Sequence, residues 1–547
     1  MNVLGLHFSH DASVALVKDG KLVSNISSER ITRVKKDNKI SKECIDYVLS
    51  HANLTYSDID VLAISSYFIQ NSFKGLEIFD EDGNDLEFIY QYLDRRQVKF
   101  KGKFFGKDID IFSLPHHIGH SASAYYTSNF DEAVCFSMDS SSYSYKPGNT
   151  VIALGKGNKL EYVDTSGNMV SQMYSCFTAQ LRLGVPFFKA GSLMGLAAYG
   201  KPNKTVVDNI EKHVKESYSD GNMFDHYTEL FKVLANTEDV IAAEKINDFR
   251  SYKKNETDLY NTRLGMEIAA TAQYLFEKSI LDTVKNKIST YGSKNLCLSG
   301  GSFLNCNVNS LIRDTNLFDN IHHCPASGDD GIAAGFALYV AHHIFDEPRS
   351  TYSHAEIAYS GKEYSLTKEV DYKKIAKLIS DGNIVAWFTG GSEFGPRALG
   401  NRSLLADPRK AHNKEILNFT VKKREWFRPF APSVLEEESH RWFYPNKPSP
   451  YMLYTYEVLQ PEKIPAVTHV DNSSRIQTVS EDLNKHYYEL IKAFFEITGV
   501  PMLLNTSLNG GGESLVESEE DALNLFNNNK NIDILVLNGN IYSKLAI

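Results

Sequence analysis

Three short apolar runs, each cut off by a polar or glycine-rich loop and spread over about 300 residues, constrain this chain more than any other feature. Val3 to Phe8 ends on Ser9-His10-Asp11-Ala12-Ser13. Ala133 to Met138 ends on Asp139-Ser140-Ser141-Ser142, and Leu296 to Leu298 on Ser299-Gly300-Gly301-Ser302. Continuous apolar runs bounded by turn residues are buried strands. Loops at the carboxyl ends of such strands are where α/β sheets take their ligands. Three of them, so far apart in sequence, predict one nucleotide site shared between two lobes that close on a cleft.

The rest of the chain fits that plan. Val14 to Val17 is a second strand, Asp19-Gly20 a hairpin turn, and Lys21 to Ser27 the returning strand. Before the third loop, Ile268, Ala269, Ala272, Leu275, Phe276 and Ile280 fall on one face of a helix. Ile332 to Phe345 reads as a buried helix. Asp346 to Ser360 has a proline and no period, and reads as a linker. Beyond it Tyr372 to Ser380 is helical, Asp381-Gly382 turns, and Ile384 to Phe388 is a buried strand. A chain of 547 residues with 42% hydrophobic residues has material for two to four cores. The fold expected is α/β, with a two-lobe domain of the actin and sugar-kinase kind over 1–350 and a second domain over 361–547. The sequence shows no internal repeat, and 202–263 carries no recognisable chemistry.

Net charge is −10, which makes the chain a poor candidate for a non-specific nucleic-acid binder, since that needs a basic face, and no nucleic-acid partner is expected. Cys44, Cys135, Cys176, Cys297, Cys306 and Cys324 form no CxxC pair, which argues against a zinc cage and a disulfide framework. Met1 to Leu16 is neither a signal peptide nor a span, and no run of 18 apolar residues occurs. A cytoplasmic protein, monomeric or homodimeric and without a membrane partner, is expected.

Four constellations carry chemistry. His116 and His120 stand at i, i+4, one helical turn apart, a metal-binding spacing. With Asp139 and Asp329 at loop positions they make a His2Asp2 set that suits iron, manganese or zinc. His10, beside Asp11, has the imidazole pKa suited to deprotonating a hydroxyl. Gly300 and Gly301 in SGGSFLN let backbone approach a phosphate, and Asn305 closes that loop. The strongest set is EFGPRALGNRSLLADPR with VKKREWFRPFAPS. There Arg397, Arg402, Lys422, Arg424 and Arg428 alternate with Phe394, Leu399, Trp426 and Phe427. Cations among apolar neighbours are partly buried and call for anions. Downstream, Arg475, Asn505 and Ser507 lie in similar loops.

GLHFSHDASVAL, HHIGHSASA, MGLAAYGKP, LCLSGGSFLNCNVN, GPRALGNRSLLADPR, VKKREWFRPFAPS, HVDNSSRIQTV and PMLLNTSLN follow one another in this order. Together they resemble the NodU/CmcH family of O-carbamoyltransferases. The resemblance implies a first domain similar to threonylcarbamoyl-transfer proteins and a second, YrdC-like α/β domain. It implies ATP with Mg2+, carbamoyl phosphate, a divalent metal (Fe2+ by resemblance) and a hydroxyl-bearing acceptor, a sugar or natural product. Carried over by motif, the metal ligands are His116, His120 and Asp329, with Asp139 close by or ligating, and His10 is the transfer base. Lys35 matches a nucleotide-contacting lysine. Arg397, Lys422, Arg428, Arg475, Asn505 and Ser507 match the carbamoyl phosphate and ATP pocket. Where the family has Glu-Gly-Lys, this chain has Ala190-Gly191-Ser192, and the usual histidine after Lys35 is Lys36.

Overall fold

The computed structural model describes the chain apart from residues 70–72, 80–82, 85, 87, 91–97, 140–149, 167–169, 209–222, 236–257 and 546–547. Its first sheet grows from Asn2–His7. That strand pairs antiparallel with Ser13–Lys18, which turns at Asp19-Gly20 into the antiparallel Lys21–Ser27. Both turn residues have positive φ, 50° and 72°, the backbone of the two-residue hairpin that an Asp-Gly pair favours. On its other side Asn2–His7 runs parallel to Val61–Ser65, which runs parallel to Lys107–Leu114.

The second sheet has the same plan. Glu132–Met138 pairs antiparallel with Thr150–Lys156, and that strand with Lys159–Ser166. Glu132–Met138 also runs parallel to Asn295–Ser299, which runs parallel to Asn320–His323. In both halves a helix follows the last parallel strand, His116–Tyr126 in one and Ile332–Tyr339 in the other. The two sheets thus share one topology, although no repeat is visible in the sequence. This is the expected two-lobe arrangement of actin and sugar kinases.

The two equivalent helices pack against each other through glycine. A Cβ on Gly335 would stand 1.9 Å from the carbonyl oxygen of Gly119, so neither position tolerates a side chain without moving the helices apart. This close approach brings the start of one helix, with His116 and His120, beside the turn Asp329–Gly331 that begins the other.

A third, seven-stranded mixed sheet is drawn from residues 385–543. Its central strands Val385–Phe388, Arg402–Ala406 and Met502–Ser507 are almost wholly buried. Helices Tyr372–Ser380 and Lys485–Thr498 contribute Ile375, Ile379, Leu490 and Phe494 to its core. The stretch read as a plain linker is ordered: it holds helix His354–Ala358, started by a Ser353/Glu356 capping box, and buries Ile357 and Ala358. Arg33 donates to the carbonyls of Ser514 and Leu515, and Asn309 to that of Leu453, so the third sheet's loops lie directly on the first two lobes. No helix among the described residues is long and apolar enough to cross a membrane.

Candidate metal and anion site

The four residues expected to hold a metal meet. Donor atoms of His116, His120, Asp139 and Asp329 all lie within 4.8 Å of one another. His116 Nε2 is 3.1 Å from His120 Nε2 and 3.4 Å from a carboxylate oxygen of both Asp139 and Asp329. His120 Nε2 is 3.4 Å from Asp139 and 3.3 Å from Asp329. A cation held at about 2.0–2.2 Å by such ligands places its donors roughly 3.0–3.5 Å apart. The set therefore fits a divalent cation, with nitrogen and oxygen ligands that do not single out one metal.

Without a cation, the carboxylates act on the imidazoles. Burial opposes charge on His116, yet Asp329 and Asp139 outweigh it and hold the ring up at about 10. His120 is raised by the same two carboxylates against its burial. Asp329, fully enclosed, is nevertheless held well below the ordinary carboxylate range by His116 and His10. His117 turns away to Ser137 Oγ at 3.1 Å, and burial pushes it down to about 3. It stands half-buried and outside the ligand set.

His10 joins this cluster from the first loop. Its Nε2 lies 3.5 Å from Asp329 Oδ2 and its Nδ1 3.3 Å from Asp11 Oδ2. Asp11, at φ 61°, also receives the ammonium of Lys36. Lys36, in the place of the family's histidine, thus anchors the carboxylate that orients His10. Lys35 pairs with Glu29 at 2.6 Å, and it adds to the burial and the Arg424 charge that lower the Lys422 amine.

The arginines gather on the facing loops. Arg397, Arg424, Arg428 and Arg475 are half-buried and near enough to repel one another. Burial first, then Arg475, lowers Arg397 to about 9. Among the described residues no carboxylate makes an ion pair with Arg397 or Arg475, and the Nε of each has no partner. Arg428 donates to Ser192 Oγ at 2.5 Å and stands 3.8 Å from Glu425, so Ser192 gives this cluster a contact with the first lobes. Arg424 is held by Asn418 and stacks on Phe430. Lys422 reaches Ser507 Oγ at 3.1 Å and Asn509 Oδ1 at 2.5 Å. Asn505, on the neighbouring strand, donates to Ala398 O and Ser433 Oγ. Arg402 stands elsewhere. It is fully buried, donates to the carbonyls of Thr389 and Gly390, and lies over the Phe388 ring, a structural tie and not part of the anion cluster.

The glycine loop serves contact between chain segments. A Cβ on Gly300 would meet Met138 O at 2.2 Å, and one on Gly301 would meet Asp139 Oδ1 at 2.9 Å, so the pair lets this loop close on a candidate metal ligand. Asn305 caps helix Cys306–Asp314 and exchanges hydrogen bonds with Gln273, which occupies its amide. Ser140 to Ser142 lie outside the described residues.

Several residues were not singled out by sequence. Glu393 Oε1 accepts the N–H groups of Leu399, Asn401 and Arg402 at 2.9, 2.9 and 3.0 Å, tying down the loop that carries Arg397. Asp330 is buried beside Asp11 and raised to about 7 by that burial and that carboxylate, and its charge reaches Arg397. The metal and anion clusters therefore adjoin. His7, on an apolar strand, gave no signal beyond its imidazole.

The chain thus sets a His2Asp2 group able to hold a metal ion beside a cluster of arginines, on a two-lobe α/β fold with a third sheet. Comparison with known proteins gives the family. The N-terminal carbamoyltransferase profile matches residues 2–338 and the C-terminal carbamoyltransferase profile residues 376–544, so the chain belongs to the carbamoyltransferase family. A Synechocystis protein is 33% identical over 100% of this chain and 97% of its own length. The nodulation protein NolNO of Sinorhizobium fredii is 30% identical over 95% of this chain and 77% of its own. Nodulation protein U of Azorhizobium caulinodans is 27% identical over 94% of each. Among solved structures, HypF of T. kodakarensis is 14% identical, covering 62% of this chain and 48% of that one, with a TM-score of 0.32, too slight to bear on function.

Proposed function

We propose that this carbamoyltransferase joins carbamate to AMP at the arginine cluster and passes the carbamoyl group to a hydroxyl of a small-molecule or sugar acceptor at the metal cluster. Water cleaves carbamoyl phosphate to carbamate and phosphate, a carbamate oxygen attacks the α-phosphorus of ATP, and pyrophosphate leaves. Arg397, Arg428, Arg475 and Lys422 bind these polyanions, with Asn505 and Ser507 beside them on strand Met502–Ser507. The reading assigns activation to 361–547 and transfer to 1–350. The observation that carries it is the crowding of half-buried cations around Arg397 and Arg475, with no carboxylate ion-paired to either among the described residues, since crowded charge of one sign favours an anion between them.

At the transfer centre, His116, His120, Asp139 and Asp329 would hold the divalent metal, Fe2+ by family likeness, whose chemistry is to polarise the carbamoyl oxygen. Asp11 accepts the Nδ1 proton of His10, leaving the Nε2 lone pair directed at the cluster. The acceptor oxygen attacks the carbamoyl carbon, AMP leaves, and His10 Nε2 takes the hydroxyl proton. Such base catalysis contributes about 10²–10⁴-fold.

The test is pyrophosphate release from ATP, which should require carbamoyl phosphate. Loss of one charged hydrogen bond, about 1.5–3 kcal/mol, slows it about ten- to a hundred-fold in Arg397→Ala. Release at the wild-type rate in that variant ends the assignment.

A further inference from the structure

His7 closes strand Asn2–His7 on the face it shares with Gly5, whose own Cβ would meet Ala333 O at 2.0 Å. This face lies against helix Ile332–Tyr339. The His7 ring is 1% exposed and meets Phe336 edge-on at 6.5 Å and His116 at 5.8 Å between centroids. Neither ring nitrogen has a hydrogen-bond partner. Leaving a buried polar group unsatisfied costs about 1–3 kcal/mol, and valine or leucine would fill an ordinary strand position without it. Asp329 Oδ2 stands 3.7 Å from His7 Nε2, with His10 Nε2 3.5 Å from the same oxygen. The other oxygen of that carboxylate, Oδ1, is the one aimed between His116 and His120, at 3.4 and 3.3 Å.

We propose that His7 is a positioning residue for the metal centre: its Nε2–H holds Oδ2 of Asp329, so that Oδ1 alone is presented to the cation. A carboxylate with one oxygen fixed from behind cannot rotate to bind through both. Groups of this kind orient ligands and commonly change metal affinity by about 10–100-fold when removed. The inference takes the metal cluster from the proposed function and is independent of the carbamoyl chemistry.

The experiment titrates Co2+ into the full-length chain and its His7→Gln and His7→Phe variants, following affinity by calorimetry and ligand geometry by the visible Co2+ absorption. Glutamine keeps an N–H donor at the reach of Nε2, whereas phenylalanine keeps the ring and its contact with Phe336 but has no donor. Expected are affinities within about threefold for wild type and His7→Gln, and a 10–100-fold loss with a changed spectrum for His7→Phe. His7→Ala, which introduces no clash, repeats the measurement if His7→Phe does not fold. Unchanged affinity and spectrum in the donor-free variant overturn the proposal, as does a His7→Gln variant as weak as His7→Phe. A wild-type chain that takes up no Co2+ removes the metal centre and His7's role with it. A chain that binds Co2+ as described but releases no pyrophosphate sinks the carbamoyl reaction alone.

Discussion

Glu393 decides where Arg397 stands. One carboxylate oxygen gathers three backbone N–H groups, and Arg397 projects from the loop so formed. In Glu393→Ala those donors lose their acceptor inside the protein, at about 1–3 kcal/mol each before relaxation. Carbamoyl-phosphate-dependent pyrophosphate release should fall at least tenfold while Co2+ affinity stays as in wild type; steady-state rates and metal titration check both halves. Sequence made Arg397 legible because a cation between Gly, Pro and Phe is conspicuous. Glu393 was not legible, since its role depends on a loop conformation that brings residues six to nine positions onward back to it.

At the scale of elements, the packing of His116–Tyr126 on Ile332–Tyr339 sets the distance between the two histidines and Asp329. The glycine contact makes a direct prediction. Gly335→Val drives a side chain into Gly119 O, and overpacking of this kind costs about 1–3 kcal/mol or more. Separating the helices also pulls Asp329 from His116 and His120. Both the melting temperature and the Co2+ affinity should fall. Gly191→Ala, in helix Pro186–Ala197 with no atom within 4 Å of its added Cβ, should be neutral or slightly stabilising by about 0.4–1 kcal/mol. Differential scanning calorimetry of the pair separates the contact from glycine loss as such. The helical spacing of His116 and His120 and the loops after apolar strands were readable from residue pattern alone. The twofold relation of the lobes was not, because hydrophobic periodicity conserves neither residue identity nor length between copies. The His354–Ala358 helix was missed for a different reason: five residues are too few to show a period.

At the scale of the molecule, the proposed reaction would have the two clusters act in sequence on an anhydride that water destroys, and the contacts between lobes and third sheet hold the two clusters near each other. Arg30 is the buried tie. Its Nη2 donates to Gly395 O at 2.6 Å, two residues from Arg397, and its Nη1 lies 3.7 Å from Glu517 Oε2. Glu517 Oε1 in turn accepts Tyr47 OH at 2.6 Å and Ser392 Oγ at 3.0 Å. Arg30→Met leaves Glu517 buried without its cation, a loss of about 3–5 kcal/mol. The double variant Arg30→Met/Glu517→Gln removes the stranded charge and should recover most of that stability. Neither restores the hold on Gly395. If this tie registers the arginine loop against the metal cluster, both variants should still release pyrophosphate from ATP and carbamoyl phosphate but lose more of the adenylate to solvent. Free hydroxylamine reports the loss: it attacks the carbamoyl carbon, AMP leaves, and hydroxyurea accumulates. Hydroxyurea formed per pyrophosphate should rise several-fold over wild type in the single and the double variant alike. A ratio unchanged in the double variant, whose stability is restored, would mean that Arg30 supports the fold and that the passage between the two clusters is kept by other contacts.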